Sequence, residues 1–228
     1  MSQQIVENSL YDTLIGGFEK AYQNFSAEES TPLLQKRKAA FEVFEKNRIP
    51  TTKNEEWHFT SLSPYIKDEY CLHSKASIDT DTILNAIEKA KIKHLDAYRL
   101  VMVNGALDFE NSILPDKNGI TVQSVAEKKN EANFAAEVNR TVPVENFAFA
   151  AINTAYFEDG FYIEIEKNFQ LDKPIQIVHI YAEKDNVFLQ PRNIIKIDKS
   201  ASCEILETTV CISDKIFFVN SLTEITIG

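Results

Sequence analysis

Glycine is scarce in this chain. Six occur among 228 residues, too few and too scattered to build a glycine-rich phosphate loop. Cysteine is scarcer still. Cys71, Cys203 and Cys211 are odd in number and lack the paired spacing of a metal site, which argues against a disulfide framework and for reduced thiols in a cytoplasmic protein. Basic residues are outnumbered, 24 lysines and arginines against 34 aspartates and glutamates, and the net charge of −10 repels phosphate backbones. Nucleic acid is therefore not an expected partner. No apolar run reaches the ~18 residues that a membrane-spanning helix needs. The segment Met1 to Asn8 has neither the basic start nor the apolar core of a secretory signal. Tryptophan occurs once, at Trp57.

What is present is ordinary for a globular chain: 44% hydrophobic and 25% charged residues, with length enough for one large domain or two small ones. Val6, Leu10, Leu14 and Phe18 recur every four residues, which predicts an amphipathic first helix across Gly16-Gly17. A second is expected from Thr31-Pro32, read as cap and first turn, with Leu33, Arg37, Ala40, Phe41 and Phe44 on one face and Pro50 closing it. Asp79 to Lys91 reads as a third. Leu100 to Val103 leads into Asn104-Gly105, a dipeptide that accepts the positive φ angles of a tight hairpin turn, and Ala106 to Phe109 returns. Ile120 to Val122 adds a short strand, Lys128 to Asn139 is weakly helical, and Asn146 is placed as the cap of a helix carrying Phe149, Ile152 and Tyr156.

From Gly160 to Ile227 strand follows strand. Phe161 to Glu166, Ile175 to Ile180, Ile195 to Asp198, Cys203 to Glu207 and Thr223 to Ile227 alternate apolar and polar, a period that sets one residue set in a core and the other in water. No helix-length pattern separates them, so an α/β crossover sheet is not expected, whereas a sandwich or a β-solenoid is. The alternation is still running at Gly228, and the expectation is a stack without its closing cap, open to self-association.

Few residues in this pattern point to chemistry. Glu164 and Glu166 share a strand face and make an acid/base pair conceivable, but the solvent side of an alternating strand explains them as well. His179 shares the parity of Ile175 and Ile177, which makes it a core histidine, an acid/base group or, with Cys203 and Cys211, part of a metal site. Glu207 continues the parity of Cys203 and Ile205. Either the chain turns near Leu206 or Glu207 has a cationic partner, for which Arg192 is the candidate. Trp57 among acidic neighbours is either a core anchor or a partner-binding patch.

Several stretches together resemble one family. Pro50, Glu55, Glu56, Trp57, His58, Phe59 and Thr60 resemble the Pro…Glu-x-Trp-basic-aromatic-Thr signature of the SufB/SufD family of iron–sulfur cluster assembly scaffolds. The Asn104-Gly105 hairpin, the run Ala151 to Gly160 with Asn153 and Asp159-Gly160, then Lys173-Pro174, Pro191-Arg192 and the Glu207 strand follow in that family's order. The helical start is more similar to the SufD branch than to SufB. The resemblance implies an α+β fold: a helical region over 1–95, a small connecting α/β region with the hairpin over 96–145, and over 146–228 the first coils of a right-handed parallel β-helix, apparently truncated. It implies a non-catalytic scaffold that pairs with SufB-like and SufC-like subunits. The cluster, and possibly flavin, belong to the full complex, with no cofactor held by this segment. Family members are substantially longer, and no ligand role carries over to His179, Cys203 or Cys211. The alternatives from other classes are a carbohydrate-active enzyme on a β-solenoid, which would call for clustered aspartates, and a generic interaction module built on Trp57.

Overall fold

The computed structural model describes residues 9–73 and 77–228. Val6 lies outside them. Helix α1 (Ser9–Ser26) buries Leu10, Leu14, Phe18, Ala21 and Phe25, a stripe at three- and four-residue spacing. It runs unbroken through both glycines. Gly17 faces Leu72 and Tyr156 at ordinary contact distance, and the Tyr156 hydroxyl donates to the Leu14 carbonyl. Helix α2 (Thr31–Asn47) starts one residue earlier than expected. Ser30, extended at φ −67 and ψ 146, is the cap, and Pro32 occupies the first turn, where its lacking N–H costs nothing. Phe18 stacks on Phe41 at 3.7 Å between centroids, joining the two helices. Arg48 ends α2 at φ 60, its N–H donating to the Phe44 carbonyl.

Helix α3 (Thr80–Ala90) is capped by Asp79, whose carboxylate accepts from the Thr82 N–H. Strands β1 (Tyr98–Val103) and β2 (Ala106–Ile113) form the expected hairpin, with Asn104 and Gly105 at φ 50 and 87. Strand β3 (Ile120–Ser124) and the short helices α4 (Val125–Lys128) and α5 (Phe134–Glu137) follow. Helix α6 (Ala148–Tyr156) takes Phe147 as its cap, not Asn146, which closes a short 3-10 turn before it.

Seven strands come next with no helix among them: β4 (Phe161–Ile165), β5 (Ile175–Tyr181), β6 (Val187–Leu189), β7 (Arg192–Ile197), β8 (Ile205–Cys211), β9 (Phe217–Val219) and β10 (Leu222–Ile227). Each of β4 to β7 pairs in parallel with the strand three places on. Ile175 meets Ile205, Val187 meets Phe217 and Ile195 meets Ile225, thirty residues along the chain in each case. The result is two four-stranded sheets, β2-β1-β5-β8 and β10-β7-β4-β3, and the pair β6-β9. The fold is α+β, with helices first and mixed sheets after them.

Between the two larger sheets Leu100, Met102, Phe161, Ile163, Ile165, Ile175, Ile177 and Ile195 form a core. The expectation of a wet outer face is corrected. All seven residues of β5 are buried, because α3 covers Val178 and Ile180 from outside with Ile83, Ala86, Ile87 and Ala90. On the other large sheet Tyr162 and Ile194 face outward into a second layer made by Leu33, Val125, Phe134, Val138 and Phe157. A strand covered on both faces has no water side for its alternation to report.

Candidate functional site

Four of the motif residues, Asn153, Asp159, Gly160 and Arg192, meet at one point, where β7 begins under α6. Asp159 and Gly160 precede β4, and Arg192 opens β7. The Arg192 N–H donates to the Asp159 carbonyl at 3.0 Å. The strands come so close that a Cβ on Gly160 would stand 1.8 Å from the Arg192 carbonyl oxygen, which only glycine permits. The Asp159 carboxylate accepts from the N–H groups of Gly160 at 2.8 Å, Ala126 at 2.9 Å and Leu107 at 3.4 Å, tying hairpin and α4 to this corner. Burial nevertheless pushes its pKa up, beyond what those donors offset.

The Arg192 guanidinium is fully buried. Its Nη2 donates to Glu224 Oε1 on β10 and to Asn139 Oδ1 at 2.8 Å. Its Nη1 donates to Asn153 Oδ1 and Thr154 Oγ1 on α6, both at 3.2 Å. Asn153 completes the frame by donating to the carbonyls of Pro191 at 2.9 Å and Asn220 at 2.8 Å. Glu224 also accepts from the N–H groups of Asn139 and Thr141, each at 2.8 Å. Burial raises the Glu224 pKa, but Arg192 and those donors outweigh it and hold it below the usual carboxylate value. Glu224 accepts two hydrogen bonds on each carboxylate oxygen, from Arg192 and Asn139 on Oε1 and from the N–H and hydroxyl of Thr141 on Oε2, so its lone pairs are used in fixing backbone, while Arg192 Nε is buried without a partner among the described residues.

A second buried arginine stands close by. Arg37 on α2 grips Glu29 with two donors, Nε to Oε2 at 2.6 Å and Nη2 to Oε1 at 2.7 Å, and donates to the Phe157 carbonyl at 2.9 Å. Its Cζ lies 4.1 Å from the Phe157 ring centre, and Arg192 Cζ lies 5.9 Å from the same centre. Glu29, Arg37 and Glu224 were not foreseen as a network. Arg37 had a signal, a charge within an apolar helical stripe. Glu224 had none, since its alternation with Ile225 reads as solvent-facing.

The other motif residues lie elsewhere. The pairing of Arg192 with Glu207, and the burial that called for it, are corrected: Glu207 sits on β8 of the other sheet, in register with Ile177, and its side chain is 53% exposed. Its neighbour is His179, at 3.9 Å between Oε2 and Nε2. His179 is 7% exposed, and its ring runs nearly parallel to Tyr181 with 6.4 Å between centroids. Its buried Nδ1 has no hydrogen-bond partner among the described residues. Burial lowers its pKa, against the opposing pull of Glu207. Cys203 packs into the inner core, where burial raises its thiol pKa, and Cys211 is exposed beside Tyr181 in register. The structure does not gather these three, and among the described residues no group of three or more histidines, cysteines or carboxylates is placed to hold a metal ion. Glu164 accepts from the Tyr162 hydroxyl at 2.7 Å and pairs with Lys196 at 3.0 Å, whereas Glu166 is exposed.

Pro50, Glu55, Trp57, Phe59 and Thr60 form a separate surface. Pro50 is buried, and Glu55 to Trp57 make a 3-10 turn. Trp57 is half-buried, with its ring centre 5.3 Å from that of Phe149 on α6. It thus anchors this segment on α6 and lines an open groove of about 480 Å³ between the end of α2 and the start of α6. Phe59 beyond it is 95% exposed. Among the described residues no helix is long and apolar enough to cross a membrane.

Residues 8–177 match the family model described as the SufBD protein N-terminal region. An iron–sulfur cluster assembly SufBD family protein of Synechocystis is 27% identical over 218 residues, covering 89% of this chain and 46% of that protein. Proteins with the same family description from Staphylococcus haemolyticus and Staphylococcus epidermidis are each 25% identical over 193 residues, covering 79% of this chain and 40% of theirs. The chain therefore spans less than half the length of these curated relatives.

Proposed function

Since the chain belongs to the SufBD family, we propose that it works in iron–sulfur cluster assembly as a SufD-like scaffold, a subunit that performs no turnover of its own. The observation that carries this reading is the family match across residues 8–177. The contacts around Arg192 are consistent with it, because they tie strands and a helix together through hydrogen bonds to backbone and side chains. We further read the parallel strands β4 to β10, each returning after about thirty residues, as the first coils of a right-handed β-helix. The connecting region with the hairpin and the helical start then form two further parts of the chain. In this reading the cluster is cargo of a complex with SufB-like and SufC-like subunits. No ligand role falls to His179, Cys203 or Cys211.

Co-expression with SufB-like and SufC-like subunits from one bacterium tests the proposal. The expected result is a single peak in size-exclusion chromatography containing all three chains, with no ATP hydrolysis or cluster chemistry from this chain alone. Separate elution of this chain, under conditions in which a full-length SufD relative assembles, would overturn it.

A further inference from the structure

The groove beside Trp57 has a chemistry that the scaffold role does not account for. Its floor is aromatic and preset. Phe149 lies 5.8 Å from Phe218, whose ring is 4.7 Å from the fully buried Phe188, so the Trp57–Phe149 pair rests on the main core. Phe147 stands partly exposed at the rim. Around the floor lie Glu55, Glu56 and Glu145, all exposed and none in an ion pair with a described residue. The one cation lining the groove, Arg48, is engaged elsewhere, with its guanidinium 4.7 Å from the Tyr11 ring centre. No side chain caps the start of α6, which opens into the same groove.

We propose that this groove docks a basic, extended segment of a partner protein, an aliphatic side chain seated on Trp57 and Phe149 and flanking lysines or arginines facing Glu55, Glu56 and Glu145. Uncompensated carboxylates around an apolar floor favour such a segment and repel an acidic one, which gives orientation as well as attraction. Carbonyls of an extended backbone are suited to the uncapped N–H groups of α6. An aromatic anchor that is already held by the core loses little freedom on binding. The inference rests on the groove and holds or fails independently of the subunit assembly proposed above.

Trp57 is the sole tryptophan and reports on the groove directly. The probe is a tryptophan-free peptide, acetylated and amidated, with four lysines and arginines flanking one leucine. Titrated into the whole chain it is expected to shift Trp57 emission saturably. A peptide with glutamates in place of the basic residues, or serine in place of the leucine, should bind at least about tenfold more weakly. Combined Glu55→Gln, Glu56→Gln and Glu145→Gln substitutions should weaken the basic peptide by a similar factor while leaving the melting curve unchanged. Three results overturn the proposal: no saturable shift, binding indifferent to the leucine (the general attraction of a chain of net charge −10), or a shift that depends on protein concentration without peptide, which would make a second copy the occupant.

Discussion

Arg192 and Glu224 stand on neighbouring strands, two residues out of register, with their charged ends in contact and their side chains 0% and 1% exposed. Both lie on the outer face of their sheet, beneath α6 and the 139–141 segment. The contact spans one return of the chain and is reached by side chains from α6, so it couples the helical layer to successive strands. Leaving either charge alone in that space is costly.

Arg192→Met should therefore destabilise the chain by about 3–5 kcal/mol, and Glu224→Gln by a smaller amount, since a neutral amide keeps some of the Asn139 and Thr141 contacts. The double variant should cost at least about 1 kcal/mol less than the sum of the two. Urea unfolding of the four proteins measures this. Additivity would mean that the two groups are not coupled.

Asn153→Ala removes two donors to the carbonyls of Pro191 and Asn220 and one acceptor for Arg192. A loss of about 3 kcal/mol is expected from the buried groups left without partners. Loss of hydrogen-exchange protection should concentrate at the starts of β7 and β10, where those carbonyls lie. Uniform loss across the chain would argue against a local frame.

Two glycines should answer substitution with opposite signs. Gly160→Ala forces a Cβ against the Arg192 backbone and should cost about 3 kcal/mol. Gly16, in mid-helix, has no atom within 4 Å of an added Cβ, so Gly16→Ala should stabilise α1 by about 0.5–1 kcal/mol. Thermal melts of the two variants separate these outcomes.

His179 gives stability a pH dependence. Its pKa in the folded chain lies below the ordinary value of 6.5, because burial disfavours the charged ring. The unfolded chain then takes up the proton first. Stability is full above about pH 6.5 and declines as pH falls toward the lowered folded value. His179→Gln should remove this component, so the stability of the parent relative to the variant should drop as pH falls below about 6.5. Parallel curves would show that the ring titrates alike in both states.

The sequence by itself determined the local elements. Asn104-Gly105 supplied the positive φ angles of the hairpin, the four-residue stripe of Leu10, Leu14 and Phe18 set α1, and period-two isoleucines set β4, β5, β7 and β10. It also carried a resemblance to the SufB/SufD family, which the family match over 8–177 bears out at the level of SufBD. Only the tertiary structure decided what covers the outward residues. Parity assigns a side chain to a face, but whether that face meets water, α3 or the layer around Phe157 depends on segments distant in the chain. That is why Glu224 and Glu207, each on an alternating strand, had their roles reversed: Arg192 is reached across the covered face, where Glu224 lies, and Glu207 stands exposed on another sheet.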